Sequence, residues 1–380
     1  MVLALLGVGF ALLVLRVLPD ALHPWLEDFE AYYDAAQRLA VGNSPYLASQ
    51  LDRPVPAVCP DCYLYPPFLA QVLAPLSSVP LDWVKAGWAV VLAVSAWAAV
   101  WIGSGIGGAR RSWERAAWCV VAAAFFFPVL KSVWLGNVGT LVALGVAMTA
   151  LGGAAAGIGS AGAALLKMVP GTLVPVALVA DRRSRWVAVS ILFVAVGLAF
   201  LGAPEAWLEF PAVLRNMIAG SGDVYWNLSP AVMAQRNGLS ETLVTLIRAG
   251  SLLGGLLAIV GSIWAARRPA GLPLAVLFAV VAMLIMPGTL WSHYLVVLLP
   301  LMAMAWPAAG PATRLALLSL SAGISVLSII FTFVAAVFFL AAAILLLVGH
   351  VLWRRMRLGL LDASDGTRPT AGPGPSDRGH

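Results

Sequence analysis

Glu27-Asp28-Phe29-Glu30-Ala31-Tyr32-Tyr33-Asp34-Ala35-Ala36, continuing through Gly42-Asn43-Ser44-Pro45-Tyr46 and closing at Tyr65-Pro66-Pro67, is the stretch around which this chain is organised. Seven of the seventeen carboxylates fall between positions 20 and 61, against two arginines, Arg38 and Arg53. Apolar sequence flanks it, at 2–18 before and at 65–77 and 83–102 after. A carboxylate-rich loop on a membrane scaffold points to chemistry at the lipid–water boundary.

At roughly 100° per residue the segment 28–40 reads as a helix. Glu27, Glu30, Asp34, Gln37 and Arg38 then share one face, and Phe29, Tyr32, Ala36, Leu39 and Ala40 the other. Asp28 falls beside Tyr32, Ala35 and Leu39, on the side that packs. A carboxylate there is partly desolvated, which raises its pKa and improves it as a proton acceptor. The competing reading is that Asp28 is only the N-cap, accepting from the first amides of the helix.

The rest of the composition is that of a polytopic membrane protein: 61% hydrophobic, 11% charged, mean hydropathy +0.93. The net charge of +6 sits in short clusters between apolar segments, so it encodes topology rather than nucleic-acid binding. Twenty of the 23 basic residues are arginine, a bias of high-GC genomes such as those of actinobacteria. The first apolar segment has no basic n-region and no Ala-x-Ala site after it, so it reads as a retained helix. Cys59 and Cys62 form a C-x-x-C in the acidic loop. An extracytoplasmic loop favours a local disulfide, and a zinc site would need two more ligands. Cys119, in an apolar helix, reads as packing.

The further apolar segments are 83–102, 116–130, 138–151, 161–180, 186–201, 241–264, 272–286 and 295–306, and the run 315–353 is long enough to divide into two helices. The expectation is an all-α polytopic bundle of about twelve transmembrane helices with long extracytoplasmic loops and both termini cytoplasmic. The transmembrane domain covers 1–361, with outer loops at 20–65 and 202–240, and a disordered cytoplasmic tail occupies 362–380. A third, short outer turn carries Trp291-Ser292-His293-Tyr294. Basic clusters at 182–185, 267–268, 314 and 354–357 fall inside. The cluster at 110–115 lands outside and breaks the positive-inside pattern.

No Walker loop, no G-x-G-x-x-G on a strand–helix unit and no H-E-x-x-H occurs, which argues against an ATP-driven pump. The Gly/Ala-rich stretch 152–162 reads as close helix packing or a flexible link. The outer loops instead converge on a candidate site. The first supplies Asp28 and the last supplies His293, which can donate to a phosphate or hydroxyl. The middle loop supplies Tyr225, Trp226 and Asn227, whose rings and amide suit the two faces of a sugar, although interfacial tryptophans are also plain belt residues. Lys167, followed by Pro170, is a cation within an apolar span and needs a partner or a function.

Asp28-Phe29-x-x-Tyr32-Tyr33-x-Ala35-Ala36 with Gly42-x-x-Pro45-Tyr46 resembles the opening motif of GT-C mannosyltransferases that use polyprenyl-phosphate-mannose, specifically glycosyltransferase family 87. Tyr65-Pro66-Pro67-Phe68, Gly136-Asn137, Lys167-Met168-Val169-Pro170 and Trp291-Ser292-His293-Tyr294 follow in the family's order. The family often has Gly-Gln at the second of these, a paired His-His at the last, and Asn-Gln-Ser where this chain has Asn227-Leu228-Ser229. The resemblance implies a plasma-membrane enzyme that transfers a mannosyl or related residue from a polyprenyl monophosphate to a hydroxyl of a lipid-linked or cell-envelope glycan on the outer face. It implies inversion with Asp28 as general base, and Lys167, His293 and Arg236 on the leaving phosphate. Tyr32, Tyr65, Tyr225 and Asn227 would line the substrate site. No D-x-D motif occurs, so no metal and no cofactor beyond the lipid-linked donor is expected, and no nucleic-acid partner. An arabinofuranosyltransferase of the same family, a flippase for lipid-linked sugars and a structural membrane subunit are the alternatives.

Overall fold

The computed structural model describes residues 25–56, 59, 61–220, 227–330 and 334–365. Every regular element among them is helical, and none is a strand. The first apolar segment at 2–18 and the tail from 366 onward lie outside the described residues. Positions 362–365, expected in the tail, continue the last helix, Val334–Asp365.

Five helices are long and apolar enough to cross a membrane: Leu81–Ile106, Arg182–Gly202, Glu241–Ala266, Pro311–Ser328 and Val334–Gly359. A sixth crossing arises if Trp113–Phe125 and Phe127–Leu135, bent by 72°, form one broken span. The other apolar helices are only 10–17 residues long, roughly 15–25 Å at 1.5 Å per residue against a hydrocarbon core of about 30 Å. Helices of membrane length among the described residues therefore number five or six, where the apolar runs alone suggest about twelve spans.

Backbone chemistry explains where the expected spans break. The run at 116–130 is two helices because Phe126 leaves the helical region (φ −92, ψ 98) and Pro128 opens the next helix. Ser325 Oγ accepts from the Phe127 N–H at 3.1 Å, replacing a bond lost at the bend. The run at 161–180 breaks at Lys167, which is extended (φ −156, ψ 134) ahead of a 3-10 turn at Val169–Leu173 that carries Pro170. The Gly/Ala-rich stretch after Gly152 is no link. It forms the helix Gly153–Leu166, packed so closely on Gly139–Leu151 that a Cβ on Gly145 would lie 2.7 Å from the Gly159 carbonyl oxygen.

Contacts sort the chain into two ends. Arg355 Nη1 donates to Ile106 O at 3.1 Å, Pro307 packs on Gly107, and Arg314 Nε donates to Trp306 O at 3.0 Å. Trp353 stacks on Trp264, one turn before Arg267 and Arg268. Arg115 Nη1 donates to Ala109 O at 3.0 Å and its guanidinium lies 3.9 Å from the centre of the Trp101 ring. The cluster at 110–115 therefore shares an end with 267–268, 314 and 354–357. This corrects the expected outer placement of 110–115. Treating the bent pair Trp113–Leu135 as one crossing returns the chain to the opposite end, and the parity error disappears.

Candidate active site

The end opposite the arginines is organised by the first described helix, Glu27–Ala40. Its capping position is Leu26, held in the left-handed region (φ 62, ψ 41), and no side chain caps the helix. Leu26 is fully buried, and its N–H donates to Trp134 O at 2.9 Å. Asp28 is thus in the first turn and is not the N-cap. The apolar face buries Phe29, Tyr32, Tyr33, Ala35 and Ala36. Phe29 stacks on Trp88 at 5.1 Å between ring centres, and on the solvated face Glu30 pairs with Lys85.

A tight turn after Phe127–Leu135 brings the partner of Asp28. Gly136 has φ +74, and a Cβ there would meet the Phe29 Cβ at 2.6 Å, so only glycine lets this turn lie against the helix. The next residue, Asn137, donates from Nδ2 to Asp28 Oδ2 at 2.7 Å and to the Tyr65 hydroxyl at 3.0 Å. Its Oδ1 accepts from the Gly139 N–H at 3.0 Å, which fixes the amide with nitrogen toward the carboxylate. Tyr65 in turn packs edge-on against Tyr32, with 4.8 Å between ring centres.

Asp28 faces a cavity of about 1260 Å³, larger than ordinary small-molecule pockets. Tyr32, Tyr65, Lys131, Asn137, Lys167, His293 and Tyr294 share its wall. Apart from that opening, protein surrounds the carboxylate. Burial raises the Asp28 pKa above the ordinary carboxylate value, and the Asn137 bond and the nearby Lys167 charge only partly oppose this. Burial also holds Tyr65 and Tyr32 well above the usual phenol value, so both remain neutral donors.

Two cations act on Asp28, Lys167 and Lys131. Lys167 reaches the cavity because the chain is broken there, and its Nζ lies 3.5 Å from the centre of the Tyr294 ring. Lys131 Nζ donates to Ser292 Oγ at 3.4 Å. His293 is buried, and among the described residues neither ring nitrogen has a hydrogen-bond partner. Unpaired polar atoms at that burial are costly unless a ligand completes them.

Asp28, Tyr32, Tyr65, Lys167 and His293, all singled out in the sequence, line this one cavity. Asn227 and Arg236 do not. Asn227 is fully buried and its amide is spent on backbone: Nδ2 donates to Gly288 O at 3.0 Å, and Oδ1 accepts from the Ser229 and Leu290 N–H groups at 2.9 Å each. It fastens the middle loop to the last one. Arg236 is exposed at the end of the helix Pro230–Arg236. Tyr225 lies outside the described residues. Cys59 and Cys62 are joined by a disulfide at the cavity rim. Sequence reasoning missed Asn137 as the partner of Asp28 and left Lys131 without a role. The only available signal was the Gly-Asn pair ending a helix. A separate groove of about 730 Å³, walled by Val174, Leu178, Phe193 and Phe200 among other apolar side chains, holds no ionisable group.

Residues 63–292 match the model of glycosyltransferase family 87. The chain belongs to that family. The matched region contains Tyr65, Lys131, Asn137 and Lys167, and it stops short of Asp28 on one side and of His293 on the other. Asn137 therefore ties the matched part of the transferase to the carboxylate outside it. No curated protein and no solved structure matches this family 87 transferase.

The Asn137 bond gives a prediction with a sign. It favours the charged form of Asp28, so Asn137→Ala should push that pKa higher still. A base works only when deprotonated, so the acid limb of the kcat/KM–pH profile should move to higher pH. The rate at the optimum should fall roughly tenfold, the scale of one hydrogen bond to a charged group. An acid limb unchanged from wild type would detach Asn137 from the base.

Proposed function

We propose that this membrane glycosyltransferase moves a mannosyl residue from a polyprenyl monophosphate to a hydroxyl of a lipid-linked or cell-envelope glycan, with inversion. The observation that carries the reading is the buried carboxylate of Asp28, oriented by Asn137 in a cavity whose wall also holds Glu27, Lys131 and Lys167. The acceptor hydroxyl passes its proton to Asp28 as its oxygen bonds to the anomeric carbon. The bond from that carbon to the phosphate oxygen breaks on the opposite face, and polyprenyl phosphate departs with the electron pair. Lys131 and Lys167 offset the charge left on the phosphate, with His293 in reach as a donor. Tyr32 and Tyr65 supply rings and neutral hydroxyls for the sugar. The arginine-rich end faces the cytoplasm and the cavity the outer side of the plasma membrane, as the positive-inside rule requires.

The test is a donor exchange. Purified protein in lipid nanodiscs, given radiolabelled polyprenyl-phosphate-mannose and a mannoside acceptor, should form labelled product, whereas polyprenyl-phosphate-arabinofuranose should give little. Preference for the arabinofuranosyl donor would reassign the sugar. In sealed proteoliposomes, movement of donor across the membrane without transfer would replace the enzyme reading by a flippase.

A further inference from the structure

Glu241–Ala266 is a membrane-length apolar helix with one cation deep in it, Arg248. Arg248 lies seven residues from the start of the helix, about 10 Å along it. An arginine at such a depth is costly unless its head reaches the interface or meets an anion. Among the described residues none is supplied: no ion pair or hydrogen bond engages its guanidinium. The side chain is exposed, and the surface it exposes borders the cavity that holds Asp28.

Helix phase shows that this placement faces the bundle. Gly255, two turns on and on the same stripe, is buried and packs against Met286, and Val244, one turn back, packs on the helix Pro230–Arg236. The cavity wall along this stretch of the helix is an apolar arm: Leu252 lines it one turn on from Arg248, as do Ile285 and Met286, which pack on Gly254 and Gly255. A single cation set in hydrocarbon-like walls is complementary to an amphiphile with one anionic group and a long alkyl or isoprenoid chain. It does not suit a free sugar, a nucleotide or a multiply charged anion.

We infer that Arg248 is a phosphate-binding residue of a lipid portal: it holds the phosphate of a lipid substrate in this arm, with the chain running along the apolar walls. The inference rests on the lipid-linked transferase reading and adds to it a subsite distinct from Lys131 and Lys167. Two lipids share the required chemistry, the polyprenyl monophosphate and a phosphodiester lipid that anchors an acceptor.

The test is binding without turnover, in nanodiscs of zwitterionic lipid. Undecaprenyl phosphate, uncharged undecaprenol and phosphatidylglycerol are titrated separately, with wild type, Arg248→Gln, Arg248→Ala and Arg248→Lys. Loss of one charge-assisted contact should weaken undecaprenyl phosphate roughly tenfold or more in the Gln and Ala variants, with partial recovery in Lys. Undecaprenol should bind all four proteins alike, because the walls are intact. The same loss confined to phosphatidylglycerol would also support the portal and assign it to the phosphodiester lipid. Equal affinity of all four proteins for both phosphate lipids would overturn it. Those variants still transferring sugar at the wild-type KM for both the donor and the lipid-anchored acceptor would sink the portal alone and leave the transferase standing. Arg248-dependent binding in a protein that transfers no sugar would do the reverse.

Discussion

Asp28→Asn should lower sugar transfer by roughly 10²–10⁴-fold in a protein that remains folded and inserted. Asparagine preserves the shape of the side chain and can still bond Asn137 through its carbonyl oxygen, but it cannot take a proton from the acceptor. Since Leu26, and not Asp28, occupies the capping position, no helix cap is lost. The stability effect has the opposite sign to the activity effect. Burial raises the folded-state pKa of Asp28 above its ordinary value, so the folded state binds the extra proton. Its stability therefore falls as pH rises from the unfolded pKa through the folded one. At neutral pH the buried charge is a cost, and Asp28→Asn should melt no lower than wild type. Glu30→Gln is the control: it loses an ion pair to Lys85 on the solvated face, with a rate within about threefold of wild type and a stability change within about 1 kcal/mol. A fully active Asp28→Asn would remove the base and leave the cavity as a binding site only.

Gly136→Ala should cost about 2–4 kcal/mol of stability and most of the activity. Alanine is disfavoured at φ +74, and its Cβ would sit 2.6 Å from the Phe29 Cβ. The turn can relieve that overlap only by moving away from the helix Glu27–Ala40, and Asn137 moves with it. Because the Asn137–Asp28 bond is 2.7 Å long, a shift of about 1 Å breaks it, and catalysis falls steeply with such displacements. Thermal unfolding and transfer rate measured together check this. A variant with normal melting and normal rate would mean that the turn does not set the distance between the two residues.

How much of this was legible in the sequence depends on the range of each interaction. The 100° phase that set Asp28 beside Tyr32 is local, and the structure puts both on the cavity wall. The turn at 291–294 was also legible as part of the site, since His293 borders the same space as Asp28 and Lys167. The partner of Asp28, by contrast, is 109 residues away, and no periodicity connects positions at that separation. The placement of 110–115 failed for a related reason. A 72° bend at Phe126 separates two short apolar helices that hydropathy reads as one straight run, since it counts apolar length without seeing direction. Asn227 misled because a polar residue beside aromatics suits a sugar and also suits a buried clasp between two loops. Here its amide oxygen accepts from two backbone N–H groups and its nitrogen donates to a backbone carbonyl. Arg248 drew no attention because one arginine barely changes the hydropathy of a 26-residue helix.

The most direct test of direct displacement with Asp28 as base is the anomeric configuration of the product. Single-turnover transfer from polyprenyl-phosphate-mannose of defined anomer, quenched and read by the one-bond carbon–proton coupling at the anomeric carbon, should show complete inversion, and Asp28→Asn should form the same inverted product far more slowly. Retention of configuration would require a covalent glycosyl–enzyme intermediate or a front-face route, neither of which is direct displacement, and would contradict the assignment of Asp28 as the general base of a single displacement.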